Sequence, residues 1–221
     1  MRFVRKLLQR TPSTAPAQAL NYADFVYWKL RGSPPRTPHV VKQRVVAEYG
    51  RRYGLDVLVE TGTYHGDMVG AMKRRFDQIY SIEFDPELAA VAARKFAGWP
   101  HIHILQGDSQ TRIAEVLGKL TQPALFWLDA GYYGWAGEHH TRDRLDRELD
   151  AILRDSKPHI VLIDDAQGFN GQNGAPTLAE FTGQIETSFP QRAVQVERRI
   201  IRIIPRTSAG KARHNQSLSP P

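Results

Sequence analysis

The chain has 221 residues, 41% of them apolar and 24% charged, the balance of a folded globular domain rather than a disordered or fibrous chain. It contains no cysteine, which excludes disulfides, thiolate zinc sites, iron–sulfur clusters and cysteine nucleophiles. The net charge of +7 is unevenly spread: residues 1–54 carry 11 Lys/Arg against 2 Asp/Glu, residues 55–204 carry 16 against 21, and residues 205–221 carry 3 against none.

The basic character therefore belongs to the ends, and the central region is acidic. A basic domain would point to nucleic acid. Basic arms on an acidic domain are more often solvated tails, which weighs against a nucleic-acid partner. No apolar run approaches the roughly 18 residues that a spanning helix needs, and the first ten residues, Met1 to Arg10, are too interrupted by charge for a signal peptide. The expectation is a soluble, cytoplasmic protein. Phe3, Val4, Leu7 and Leu8 beside arginines offer only a weak case for contact with an anionic membrane. No feature specifies an oligomer.

In chain order, residues 1–54 read as an extension with one or two short helices. One is at 22–31 and ends before Gly32-Ser-Pro-Pro35; the second is at 39–53, with Val41, Val45, Val46 and Tyr49 at helical spacing. From residue 55 the pattern alternates. Short apolar runs at 56–61, 78–84, 102–106, 124–129 and 159–164 read as strands. Helices are expected between and after them at 66–76, 86–97, 109–120, 139–155 and 176–188. Near-continuous apolar strands alternating with helices imply a parallel sheet covered on both faces. Residues 193–204 are β-rich with no helix inside and read as a tight antiparallel hairpin. The fold class is thus α/β, a doubly wound, seven-stranded and mostly parallel sheet closed by a C-terminal hairpin. Residues 205–221 are polar and read as a disordered basic tail.

In open α/β sheets, ligands sit at the carboxyl ends of the strands. The first strand ends in Glu60-Thr-Gly-Thr-Tyr-His-Gly66, where Gly62 allows a sharp turn and Gly66 lets the next helix begin close to a ligand. The second ends at Glu83-Phe84; Glu83 lies 23 residues beyond Glu60, the spacing of an acidic residue that accepts hydrogen bonds from ribose hydroxyls. The third ends in Gly107-Asp108-Ser109, where a carboxylate and a backbone N–H would meet an adenine edge. Asp108 and Ser109 are equally good helix N-caps, and the two readings are compatible.

Together these turns resemble the class I methyltransferases that use S-adenosyl-L-methionine (SAM), over most of residues 55–204. The resemblance implies a Rossmann-like methyltransferase domain there. Glu60, Thr61, Gly62, Thr63, Tyr64 and Gly66 would face the methionine part of the cofactor. Glu83 would hold the ribose and Asp108 with Ser109 would lie near adenine, with Phe84 also among the cofactor-binding residues. The dinucleotide fingerprint G-x-G-x-x-G is absent, since Tyr64 stands where its second glycine would fall.

The fourth strand ends in Phe126-Trp-Leu-Asp129, and the fifth in Ile163-Asp164-Asp165. Neighbouring parallel strands lie about 4.8 Å apart, so Asp129, Asp164 and Asp165 can reach one point. Three carboxylates there repel one another unless protons or a cation neutralise them, and oxygen-only ligands suit a hard ion such as Mg²⁺. The alternative is that, of Asp164 and Asp165, one carboxylate caps a loop or pairs with an arginine while the other is solvated. The arrangement is similar to the metal-dependent O-methyltransferases of the macrocin and catechol types. That resemblance implies Asp129, Asp164 and Asp165 as metal ligands, Asp129 also beside the cofactor's methyl group, and methyl transfer to a hydroxyl of a small-molecule acceptor. Two departures stand out. Tyr132 occupies the position of the catechol-type lysine, and Gly131 that of a histidine in related Trp-Leu-Asp-Ala-His turns.

The glycine- and aromatic-rich segment 131–140 reads as a substrate lid, with Tyr132 and Trp135 packing on the next helix as the plainer alternative. His139 or His140 is a candidate general base, with paired surface histidines at a helix start as the plainer alternative, and 168–174 is a second loop on the same rim. A non-catalytic adenosine-binding module of the same fold and a nucleic-acid-directed methyltransferase using the basic arms remain alternatives.

Overall fold

The computed structural model describes residues 30, 38–129, 141–172 and 174–206. The helix expected at 22–31, the lid at 131–140 with Tyr132, Trp135 and His139, and the tail from 207 onward lie outside the described residues, Leu30 apart.

The elements run α1 (His39–Tyr53), β1 (Val57–Thr61), α2 (Asp67–Met72), β2 (Gln78–Glu83), α3 (Pro86–Phe96), β3 (Ile102–Gln106), α4 (Ser109–Leu117), β4 (Leu125–Leu128), α5 (Thr141–Arg154), β5 (Ile160–Ile163), α6 (Leu178–Ser188), β6 (Arg192–Glu197) and β7 (Ile200–Pro205). One seven-stranded sheet has the order β3-β2-β1-β4-β5-β7-β6. β1 to β5 pair in parallel, and β7 runs antiparallel to both β5 and β6. This is the expected doubly wound sheet with its terminal hairpin.

Side-chain alternation sorts the strands between two cores. Leu58, Leu125, Trp127, Ile160 and Leu162 pack with Val45, Val46 and Tyr49 of α1, Met68 and Met72 of α2 and Phe96 of α3. Val57, Val59, Phe126, Leu128, Val161 and Ile163 face the other way, against Ile113 and Val116 of α4, Leu145 and Leu149 of α5 and Phe181 and Ile185 of α6. Every residue of β1, β4 and β5 is buried, because helices cover both faces. α1, from the segment grouped by charge with the basic extension, belongs to the first of these cores.

Local chemistry sets the helix starts. Asp85 caps α3 by accepting from the Glu87 and Leu88 amides, with Pro86 in the first turn. Thr177 and Glu180 form a reciprocal capping box on α6. α2 is shorter than the expected 66–76. Arg75 N–H turns back to the Met72 carbonyl, and Phe76 is buried beneath α1, so close that a Cβ on Gly50 would lie 2.7 Å from its ring. Placing that ring in the core ends the helix. The β6–β7 hairpin turns on Arg198 and Arg199, both with positive φ (50° and 62°), the pattern of a type I′ turn.

Among the described residues, no helix is long and apolar enough to cross a membrane.

Candidate active site

The strand register lines up the residues that carry chemistry. Thr61 stands opposite Ile82 on one side and Leu128 on the other, and Leu128 stands opposite Ile163. The next residue of each strand path is therefore Gly62, Glu83, Asp129 and Asp164, one row along the carboxyl edge. Backbone bonds extend the ladder past the strands: Asp129 N–H donates to Thr61 O at 3.2 Å and Asp164 N–H to Leu128 O at 3.0 Å. The strand order reverses between β1 and β4, the switch point where such sheets open a crevice.

The turn after β1 folds across towards β2. Gly62 N–H donates to Ile82 O at 2.9 Å, and Gly66 N–H returns to Thr63 O at 2.7 Å. Gly62 (φ 83°) and Gly66 (φ 70°) take left-handed conformations, and a Cβ on Gly66 would lie 2.7 Å from the Phe96 ring. Tyr64 accepts positive φ without being glycine. Its N–H donates to Glu83 Oε2 at 2.7 Å while Asp85 N–H donates to Glu83 Oε1 at 3.0 Å. Each oxygen of Glu83 thus holds one backbone amide and keeps a lone pair for another donor.

Beneath the turn lies a buried polar chain. Ser81 Oγ donates to Glu60 Oε2 at 2.6 Å, and Thr63 Oγ1 lies 2.6 Å from Ser81 Oγ. Burial pushes the Glu60 carboxyl up to about 8; the Ser81 hydrogen bond opposes this, and Asp129 and Glu83 add to it. Glu60 therefore supports the turn from below, and Thr61 is fully buried beside it. Tyr64 and Phe84 are exposed at the rim, with the Arg144 guanidinium 5.7 Å from the Phe84 ring centre.

At the third tip, Gly107 N–H donates to Glu83 O at 2.9 Å, which ties β3 to β2. Asp108 caps α4 through the Gln110 amide at 2.9 Å. The Ser109 hydroxyl is buried and donates to Glu148 of α5. Gly62, Glu83 and Asp108 thus stand on adjacent parallel strand ends, on one side of the molecule.

On the other side of the switch point, one oxygen from each of Asp129, Asp164 and Asp165 lies within 4.8 Å of the others. Asp164 is buried; Asp165 is exposed, has φ 54° and accepts from Gln167 Nε2 at 2.7 Å. Burial, then the charge of Asp164, pushes Asp129 up to about 8, against the pull of Lys42.

Lys42 of α1 is the residue beside this cluster that strand-end reasoning passes over. Its Nζ makes a salt bridge with Asp164 Oδ2, the side chains being 16% and 2% exposed. Burial opposes its charge, but Asp129, Asp164 and Asp165 outweigh that and raise its pKa. A signal was present. At about 100° per residue, Lys42 falls inside the arc of Val41, Val45, Val46 and Tyr49, so it is a cation on the buried face of its helix.

Solved structures share this architecture. The O-methyltransferase from Bacillus cereus in complex with SAH is 11% identical, with 88% of this chain and 94% of that one covered at a TM-score of 0.58. The O-methyltransferase TomG from Streptomyces achromogenes, in complex with SAM, is 15% identical, with 76% and 81% covered at 0.56. SAH-bound methyltransferase PaMTH1 from Podospora anserina is 16% identical, with 93% and 95% covered at 0.55. No family model and no curated protein sequence matches the chain. At these identities the likeness is one of fold, and the fold is the Rossmann-like methyltransferase fold.

Proposed function

We propose that the protein is a SAM-dependent methyltransferase that transfers a methyl group to a hydroxyl of a small molecule. The observation that carries this reading is the single row of Gly62, Glu83, Asp129 and Asp164 across the switch point, with Asp108 beside it.

In this reading the Gly62–Gly66 turn takes the methionine part of the cofactor, the free lone pairs of Glu83 accept from the ribose hydroxyls, and Phe84 and Asp108 flank the adenine. The acceptor lies over Asp129. Its oxygen attacks the sulfonium methyl in line; the O–C bond forms as the C–S bond breaks, and the electron pair stays on sulfur, leaving a thioether. The hydroxyl proton leaves to a carboxylate of the cluster. The site contributes chiefly positioning, which is worth several kcal/mol when reacting atoms are held about 3 Å apart.

The oxygen-only donors of Asp129, Asp164 and Asp165 suit Mg²⁺ in chemistry. However, Asp164 Oδ2 already faces the Lys42 ammonium, so a metal does not fit this arrangement as it stands and no step is routed through one.

Calorimetric titration with SAM tests the reading. Binding that weakens sharply in Glu83→Ala is expected, and no heat at millimolar SAM overturns it. A mass-spectrometric screen of hydroxylated acceptors then looks for the added methyl. Cofactor binding with no product, unchanged by Asp129→Ala, would instead favour a binding module. Salt-sensitive RNA affinity that depends on residues 1–20 and 206–221 would favour a nucleic-acid substrate.

A further inference from the structure

The acidic cluster has an occupant of its own. Asp129, Asp164 and Asp165 approach one another within 4.8 Å, an arrangement that needs positive charge or protons. Lys42 Nζ supplies the charge through Asp164 Oδ2. The lysine does not hang from a loop. Its helix is clamped to the sheet by Val41, Val45, Val46 and Tyr49, each 5% exposed or less, and the Gln43 amide, one residue on, donates to the Asp67 carbonyl at 3.2 Å. A divalent ion ligated by Asp164 would have to share that carboxylate with the ammonium. Two cations on one carboxylate repel strongly in a partly desolvated site. The ammonium also has three N–H bonds, so it can serve Asp164 and still donate to a second oxygen.

We propose that Lys42 is the resident cation of this cluster, an ammonium held in the place a divalent ion would take, so that the site works without a metal. The last clause rests on the methyltransferase reading; the first does not. α1 is then part of the active site, and Lys42 is a positioning residue for the three carboxylates.

The test is a titration of the purified full-length protein with Mn²⁺, followed by the electron paramagnetic resonance of the free ion. Wild type and Lys42→Arg should leave the free signal undiminished at sub-millimolar Mn²⁺. Lys42→Met and Lys42→Gln should bind the ion at least about tenfold more tightly than wild type, and Asp164→Asn added to either should abolish that gain. Wild type binding Mn²⁺ as tightly as Lys42→Met overturns the proposal. So does a folded Lys42→Met or Lys42→Gln, judged by circular dichroism, that still fails to bind. Should Lys42→Met not fold, Lys42→Gln carries the comparison, and the wild-type titration decides by itself if it binds. SAM calorimetry run in parallel keeps the two readings apart: lost cofactor binding sinks the methyltransferase reading and leaves the Mn²⁺ result standing.

Discussion

The two halves of the crevice are built differently. In the half formed by β1, β2 and β3, carboxylates are held by backbone amides close in sequence or on the next turn: Asp108 by Gln110 N–H, Glu83 by Asp85 and Tyr64 N–H. In the half formed by β4 and β5, three carboxylates crowd together, one of them paired with Lys42, 122 residues from Asp164, and Asp129 pushed up to about 8. The first half is a set of turns that carry their own hydrogen bonds. The second exists only when a separate helix has docked. On the proposed reading, such a site can keep its cofactor cradle while its reaction centre is altered through a residue on another layer.

The largest expected effect falls on the second half. Lys42→Met leaves Asp164 buried without its cation and should cost about 3 kcal/mol in urea denaturation near neutral pH. Adding Asp164→Asn should recover much of that loss, and a cycle with no coupling between the two would erase the contrast between the halves. In the first half, Glu83→Ala removes the anchor of the Tyr64 turn and, on the proposed reading, the charge-assisted hydrogen bonds to the ribose. SAM affinity should fall by on the order of a hundredfold in calorimetry, whereas Asp165→Ala should change it less than about threefold. Comparable losses for the two variants would mean that the halves are not separable.

Glu60 lies beneath both halves and gives a pH readout. Its folded-state value of about 8 stands above its ordinary 4.5, so between these values the folded protein keeps a proton that the unfolded chain has lost. Stability from this group is full below 4.5, falls as pH rises towards about 8, and is level above. The slope approaches about 1.4 kcal/mol per pH unit. Glu60→Gln keeps an acceptor for Ser81 and should flatten that part of the denaturation profile; a profile as steep as wild type would place the proton elsewhere, with Asp129 the next candidate. The smallest effect belongs to a control outside both halves. Replacing Arg198-Arg199 by Asn-Gly suits the positive φ of the hairpin turn, and should add about 1 kcal/mol of stability while leaving SAM affinity untouched.

Much of this architecture was readable along the chain. The apolar runs that become β1, β4 and β5 are short, continuous and followed by Gly62, Asp129 and Asp164. Such patterns depend on neighbours within a few residues, as do the caps at Asp85, Asp108 and Thr177. The register that puts Glu83 and Asp129 in one row also follows from parallel pairing of strands of similar length. Other features were not readable from spacing. The Ser109 hydroxyl turns to Glu148 on α5, 39 residues away. α2 stops at Met72 because Phe76 is needed under α1.

By itself, then, the order of residues determined the parallel strands, the glycine and acidic tips and the side of the sheet on which they gather, because backbone hydrogen bonding and side-chain alternation are local rules. Tertiary structure alone decided which charge answers the aspartates and which carboxyl is buried beneath the turn. Those outcomes depend on desolvation and on contacts between elements far apart in sequence, and these arise only once α1 packs against the sheet.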